Sequence, residues 1–470
     1  MLFNSISFLF FLPAVLIGIR LLPDRWRNRF LLVAGYFFYG CWDWRFLGLL
    51  FLSTVIDFWA AHLISTARDS YRRRMVLIAG LSANLTILGF FKYFNFFVGS
   101  AQAFFEWAGL HVSVPMLSVI LPVGVSFYTF QSMSYTIDVY RGDAQPVQRF
   151  WDYAVYVAYF PQLVAGPIER VSHLFPQILA PAKVTAERIN IGLILMLLGF
   201  AKKVLIADQL APEVDQIFAH PAAMSSGLLL RGAYLFSFQI YCDFSGYTDI
   251  ARGVSELLGI RLCLNFNQPY LSQSITEFWR RWHMSLSSWL RDYLYIPLGG
   301  NRQGKWRTYQ NLMLTMLIGG LWHGANWTFV VWGGLHGSYL ALERIRGIGK
   351  AEGAPAQYDS IRYWAGRGMR TLVTFHMVLF GWIFFRASSL TAALQYVSGI
   401  FRFTDLQAVG VAPLIVAAAI LSIDIAQNRS GDHAVFLRAP WWVQSPVYTA
   451  LCLAMILYGG SDVPFIYFQF

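Results

Sequence analysis

The residues with most chemistry in them lie in Gly319-Gly320-Leu321-Trp322-His323-Gly324-Ala325-Asn326-Trp327, with apolar runs on either side. An ionisable side chain inside a membrane-grade segment is costly and usually faces a cavity or a partner. Gly319, Gly320 and Gly324 remove side-chain bulk around His323, which lets a backbone or a ligand come close. A neutral imidazole there can serve as a general base, a ligand to haem or metal, or a core hydrogen-bonder. No ionic residue is its sequence neighbour, and no second ligand stands at a spacing such as His-x3-His.

His283 stands in Glu277-Phe278-Trp279-Arg280-Arg281-Trp282-His283-Met284-Ser285-Leu286-Ser287. It falls at the edge between an apolar and a polar helical face, where an interfacial histidine beside arginines is the plain alternative to a catalytic one. His336 lies in Gly333-Gly334-Leu335-His336-Gly337, whose small-xxx-small spacing suits close helix packing. A packing histidine and a supporting site residue are equally compatible with that setting. His376 reads as a satisfied core histidine, and His62, His111, His173, His220 and His433 fall at span ends or in loops. The chain closes on Phe465-Ile466-Tyr467-Phe468-Gln469-Phe470. These aromatics suit an interfacial anchor; alternatively they deliver the Tyr467 hydroxyl into a pocket.

The elements that must hold these residues are those of a membrane protein. The 470 residues are 57% hydrophobic and only 13% charged, with mean hydropathy +0.48. Soluble domains carry about 25% charged residues. Apolar stretches occur near 5–22, 29–41, 45–65, 75–97, 114–138, 150–166, 190–207, 225–241, 309–323, 326–343, 370–386, 408–425 and 444–460. A crossing helix needs roughly 20 apolar residues, so this pattern predicts one polytopic helical domain over 1–470. Breaks are expected at Pro122-Val123-Gly124 and Gly319-Gly320, because interrupted helices persist at membrane depth only where protein or a cavity surrounds them.

The net charge of +11 comes from arginines and lysines between the spans, so it points to topology rather than to nucleic acid. Arg20, Arg25, Arg27 and Arg29 mark one cytoplasmic loop, and Arg68, Arg72, Arg73 and Arg74 a second, which places the N-terminus outside. The first span lacks a basic n-region and a cleavage site, as expected of an uncleaved helix. Residues 242–308 are the least membrane-like long stretch. From Ser274 a helical pattern puts Trp282, Leu286, Trp289, Leu290 and Tyr293 on one face and Arg281, Ser285, Ser288 and Asp292 on the other. That pattern predicts an amphipathic interfacial or re-entrant helix. Residues 345–368 form the expected mobile cytoplasmic loop. Cys41, Cys242, Cys263 and Cys452 have neither metal-ligand nor disulfide spacing. Phosphate loops, dinucleotide fingerprints, nucleophile elbows and zinc-protease motifs are absent.

Five runs together carry a resemblance: Asp243-Phe244-Ser245-Gly246-Tyr247, Asn265-Phe266-Asn267-Gln268-Pro269-Tyr270, residues 278–287, Trp289-Leu290-Arg291-Asp292-Tyr293, and Gly319-Gly320-Leu321-Trp322-His323-Gly324. The chain resembles the membrane-bound O-acyltransferases, in the branch of the bacterial alginate O-acetyltransferases, from Leu2-Phe3-Asn4-Ser5 to its last residue. The resemblance implies an all-α ring of about 11–13 transmembrane helices, with short re-entrant helices around a thin central funnel. It implies His323 as the catalytic histidine and His283 as the second polar site residue. It also implies Tyr467, in a C-terminal F-x-Y-F-x-F motif, as an acyl carrier. Arg280, Arg281, Trp282, Ser285, Asp292, Trp322, Asn326 and His336 are the expected supporting or substrate-binding residues, with no metal.

The expected activity is acetyl transfer from a cytoplasmic donor, acetyl-CoA, to an extracytoplasmic polysaccharide such as alginate. No cofactor is expected to be bound permanently. A periplasmic acetyltransferase or acyl-relay protein is the expected partner and the bacterial inner membrane the expected location. Peptidoglycan or another cell-wall glycan is the alternative acceptor. The rival readings are a glycan transporter or flippase, and a membrane haem or metal protein.

Overall fold

The computed structural model describes residues 1–111, 114–348, 361–459 and 463–466. Regular structure among them is helical throughout, without a strand. Internal contacts divide the chain into two compact units. The first is Met1–Met196 with Ile250–Cys263, and the second is Leu197–Asp249 with Leu264–Phe470.

The first unit begins with α1 (Ile6–Leu21), α2 (Asp24–Asp43), α3 (Leu47–Thr66), α4 (Ser70–Leu88) and α5 (Phe94–Trp107). It continues through α6 (Val125–Arg141), α7 (Phe150–Val157), α8 (Phe160–Leu163), α9 (Val171–Leu179) and the start of α10 (Ala186–Phe200). Asp24–Thr66 is a 43-residue apolar helical stretch. At 1.5 Å per residue it is about twice as long as a bilayer core is thick. The predicted spans 29–41 and 45–65 meet in it at the tight turn Trp44–Phe46, where the Asp43 carboxylate accepts from the Arg45 N–H at 3.0 Å.

A fully buried polar cluster joins α3, α4 and α6. The Asp57 carboxylate accepts from Asn84 Nδ2 at 2.9 Å and Thr136 Oγ1 at 2.7 Å, while Ser53 Oγ donates to Asn84 Oδ1 at 2.9 Å. Without water, each of these groups needs a partner inside the protein.

Five helical stretches are long and apolar enough to cross a membrane among the described residues: Asp24–Thr66, Ser70–Trp107, Ala186–Ala219, Tyr363–Arg386 and Leu406–Ser430. Some other predicted spans are shorter or broken, whereas 225–241 lies within the 32-residue helix Ser226–Leu257. The 114–138 stretch becomes helical only at Val125, after Pro115, Pro122 and a left-handed Gly124 at φ +75°. The 150–166 stretch is the two short helices α7 and α8.

The second unit contains α11 (Asp208–Ala219), α12 (Ser226–Leu257, up to Asp249), α13 (Ile275–Arg281), α14 (Met284–Leu290), α15 (Gly304–His323) and α16 (Trp327–Ile345). It ends with α17 (Ile361–Arg386), α18 (Leu390–Ile400), α19 (Ala412–Ser430), α20 (Trp441–Tyr458) and residues 463–466. Three sequence expectations change here. Residues 242–257 belong to the 32-residue α12, so the irregular segment starts later than predicted. The amphipathic helix expected from Ser274 is broken at His283 into α13 and α14. The predicted loop 345–368 lies partly outside the described residues, and from Ile361 onward it is helix.

The largest departure is at Gly319-Gly320. No break occurs there: α15 runs through to His323, and the chain turns at 324–326 before α16. The glycines serve the hairpin instead. A Cβ on Gly320 would stand 2.2 Å from the Phe329 carbonyl oxygen, and one on Gly333 would stand 2.3 Å from that of Met316. Neither carbonyl belongs to a flexible side chain. Gly320→Ala is therefore expected to destabilise the protein by about 1–3 kcal/mol, the usual cost of overpacking. Thermal unfolding in detergent reads this as a lowered Tm; an unchanged Tm would show that the hairpin relaxes freely.

Candidate active site

His323 is the last residue of α15, 4% exposed. Its ring lies 5.0 Å from Trp322, 5.1 Å from Trp332 and 5.3 Å from Phe385, centroid to centroid. Three elements thus wall it with aromatics: α15 itself, α16 and α17.

His283 is fully buried at the break between α13 and α14. It adopts a left-handed backbone, φ +44° and ψ +52°. A non-glycine residue there is disfavoured by about 1–2 kcal/mol, so the surrounding contacts must hold it. Those contacts come from Asn265. The Asn265 carbonyl oxygen accepts from Met284 N–H at 2.9 Å. Its side-chain Oδ1 accepts from Ser285 N–H at 3.2 Å and Ser285 Oγ at 2.9 Å, and lies 3.1 Å from His283 Nδ1. An oxygen already receiving a backbone N–H is an acceptor, so His283 Nδ1 carries the proton. In the neutral ring, Nε2 then presents its lone pair.

Other contacts position the short helices. The Ser274 hydroxyl caps α13 by accepting from Glu277 N–H at 3.0 Å. The Glu343 carboxylate of α16 accepts from Thr276 N–H at 2.9 Å and Thr276 Oγ1 at 2.8 Å. Helix α13 is thereby pinned to the hairpin that carries His323. The result brings the two predicted histidines together: their ring centroids are 6.3 Å apart. Trp322 faces both, 5.9 Å from His283, and Phe244 of α12 stands edge-on to His283 at 4.7 Å.

The structure sorts the remaining candidates. Trp322 lines the site. Ser285, predicted on a polar face, is 4% exposed and is bound to Asn265. Trp282 is a core residue, stacked on Phe278 at 5.5 Å and against Trp382 at 5.0 Å. Arg281 bonds Glu277 at 2.8 Å, Asn428 Oδ1 at 3.1 Å and the Asn267 carbonyl at 3.3 Å. Arg280 is exposed, and Asp292 pairs with Arg291 at 2.7 Å. Asn326 caps α16 through Thr328 N–H at 3.1 Å and donates to the Ser388 carbonyl at 2.9 Å.

His336 accepts at Nδ1 from Trp279 Nε1 at 3.3 Å, so its proton is on Nε2, facing Gly381. Trp332 packs between it and His323, 4.9 Å from His336. His376, expected in the core, is on an exposed face, 2.8 Å from Tyr234 Oη and 2.8 Å from the Leu372 carbonyl. Tyr467 lies outside the described residues. Among the described residues no three His, Cys, Asp or Glu side chains converge as metal ligands.

Asn265, Glu343, Phe244, Trp332 and Phe385 were not among the sequence candidates. Asn265 and Phe244 each left a trace, within the runs Asn265-Phe266-Asn267-Gln268 and Asp243-Phe244-Ser245-Gly246-Tyr247.

The profile of the membrane-bound O-acyltransferase family (MBOAT) matches residues 147–390, which include both histidines. The chain belongs to this family. A relative from Azotobacter vinelandii, named "Probable alginate O-acetylase AlgI", is 44% identical over 436 residues, covering 90% of this chain and 84% of the relative. A Pseudomonas aeruginosa protein of the same name is 42% identical with full coverage of both chains. The "Peptidoglycan O-acetyltransferase" of Helicobacter pylori is 36% identical, covering 85% of this chain and 79% of its own. This O-acyltransferase is thus an all-α, multi-pass membrane enzyme of the alginate O-acetyltransferase branch, acting on hydroxyl groups.

Proposed function

We propose that the enzyme takes acetyl from a cytoplasmic thioester, acetyl-CoA, and passes it across the inner membrane to hydroxyls of an alginate-type polysaccharide. The observation that carries this reading is the pair His283 and His323, with ring centroids 6.3 Å apart inside an aromatic wall. The relatives' names supply the acetyl group and the polymer.

The acceptor oxygen attacks the thioester carbonyl carbon while His323 removes the hydroxyl proton. The C–S bond then breaks, and the leaving thiolate takes that proton. His283, protonated at Nδ1 by its pairing with Asn265, offers Nε2 to accept a hydrogen bond from the hydroxyl and so orients it. This tautomer suits orientation better than donation to an oxyanion. Tyr467 is the proposed first acceptor, which would split the transfer into two easier steps. From there acetyl passes to the polymer or to a periplasmic acetyltransferase. The arginine-rich loops support a periplasmic N-terminus.

Deleting the gene is expected to leave polymer secretion intact and to abolish its O-acetylation, read by NMR of the purified polysaccharide. Loss of export would identify a transporter instead. Unchanged alginate with lost acetyl on peptidoglycan would move the acceptor to the cell wall.

A further inference from the structure

A second buried polar centre in the same unit has no part in the chemistry above. Lys203 Nζ lies 2.8 Å from Asp208 Oδ1 and 2.8 Å from Asp243 Oδ1. The three side chains are 9%, 2% and 4% exposed. Buried charges persist when they are paired and their remaining hydrogen-bonding capacity is used. Here that capacity is used by the end of the chain. Lys203 Nζ donates to the Val463 carbonyl at 3.3 Å, and Ile466 N–H donates to Asp243 Oδ2 at 2.6 Å. One ammonium and one carboxylate thus hold the backbone of residues 463–466 at both ends.

This arrangement is not needed to fasten the preceding helix. The end of α20 has its own tie, Gln209 Nε2 to the Tyr458 carbonyl at 3.0 Å. Lys203 acts on the segment beyond it. Lys203 belongs to a π-helical turn, Ala201–Ala207, a local irregularity often found at functional sites.

The bracketed segment leads back to the histidines. Phe465 and Ile466 are 3% and 2% exposed. The Phe465 ring lies 4.9 Å from Tyr247 and 5.8 Å from Phe244, and Phe244 is the ring edge-on to His283 at 4.7 Å. Asp243 and Phe244 are adjacent on α12, so one helix carries both the bracket and the wall of the site.

We propose that Lys203 and Asp243 are positioning residues: they dock residues 463–466 against the wall of the histidine site, and acyl transfer depends on that docking. The dependence on transfer rests on the function proposed above; the docking does not.

Hydrogen exchange with mass spectrometry on the full chain in detergent separates the two. Lys203→Met keeps the aliphatic stem and removes the charge. It is expected to speed exchange at Val463, Phe465 and Ile466 by about tenfold or more, the scale of a lost charge-assisted hydrogen bond. The amides of α15 keep their protection, and acetyl transfer falls by a similar factor. Ile466→Pro removes the N–H that Asp243 accepts, along with the Ile466 side chain and the freedom of its φ, and leaves the buried charges in place. It is expected to lower transfer in the same way, with the amides of α15 again keeping their protection. Unchanged exchange in Lys203→Met, or full transfer in either variant with residues 463–465 exchanging fast, overturns the proposal. Protection lost on Lys203→Met supports the bracket even where no polymer is acetylated, and that failure then falls on the proposed function.

Discussion

His323→Ala is expected to reduce polymer O-acetylation by roughly 10²–10⁴, the usual contribution of a positioned general base. The side chain ends α15 and is almost fully buried among Trp322, Trp332 and Phe385. Truncating a buried ring also removes packing, so the measurement needs a control. His323→Gln keeps most of the volume and polarity but cannot take up a proton near neutral pH. Both variants should lose transfer alike, and the glutamine variant should do so at wild-type abundance and Tm in detergent, where the alanine variant loses some stability to the cavity. Activity restored in the glutamine variant would make His323 a hydrogen-bonding residue rather than the base.

The second large effect is expected at His283. His283→Gly should lower transfer by about 10²-fold or more, in the range of a group that handles the reacting proton or hydroxyl. Glycine is the informative choice because the position is left-handed, φ +44°. It accepts that backbone without strain, so the break between α13 and α14 survives and only the imidazole is lost. The partner substitution is Asn265→Leu, which removes the acceptor that fixes His283 Nδ1 as the protonated nitrogen. A loss of about tenfold is expected, the scale of one hydrogen bond to an orienting group. In the double variant, Asn265→Leu should add little to His283→Gly, since Asn265 acts through the ring. Additive losses, measured as kcat/KM for acetyl transfer, would show that Asn265 has a separate role.

The polar residues of the site were visible in the sequence for a simple reason: an imidazole inside an apolar run has to be explained. His323 stood out on those grounds, His283 only through the family resemblance, and the structure brings them together. The neighbouring polar residues were harder to rank. Ser285 and Arg281 look alike on a helical wheel drawn from Ser274, as members of a polar face. The wheel fails because the helix breaks at His283, which turns Ser285 inward onto Asn265 while Arg281 is spent on Glu277 and Asn428. Periodicity assumes a continuous helix, and a single left-handed residue resets it.

Glycines misled in a related way. A Gly-Gly pair beside a buried histidine suggested a thinned, interrupted helix. In the hairpin, Gly320 is there because the Phe329 carbonyl occupies the space a Cβ would need. Sequence shows that bulk is absent, but not what comes close in its place.

Composition, apolar run lengths and arginine placement determined the class of this protein, because lipid permits few ways of satisfying a backbone. The motifs, by resemblance, determined its family and singled out two candidate histidines. What only the tertiary structure decided is how those histidines are held: the Asn265 lock that sets the His283 tautomer, the Glu343 tie to α13, and the Lys203–Asp243 bracket on residues 463–466. Each of these joins residues far apart in the chain through one or two hydrogen bonds. No periodicity or composition carries such a contact; it exists only once the helices have packed.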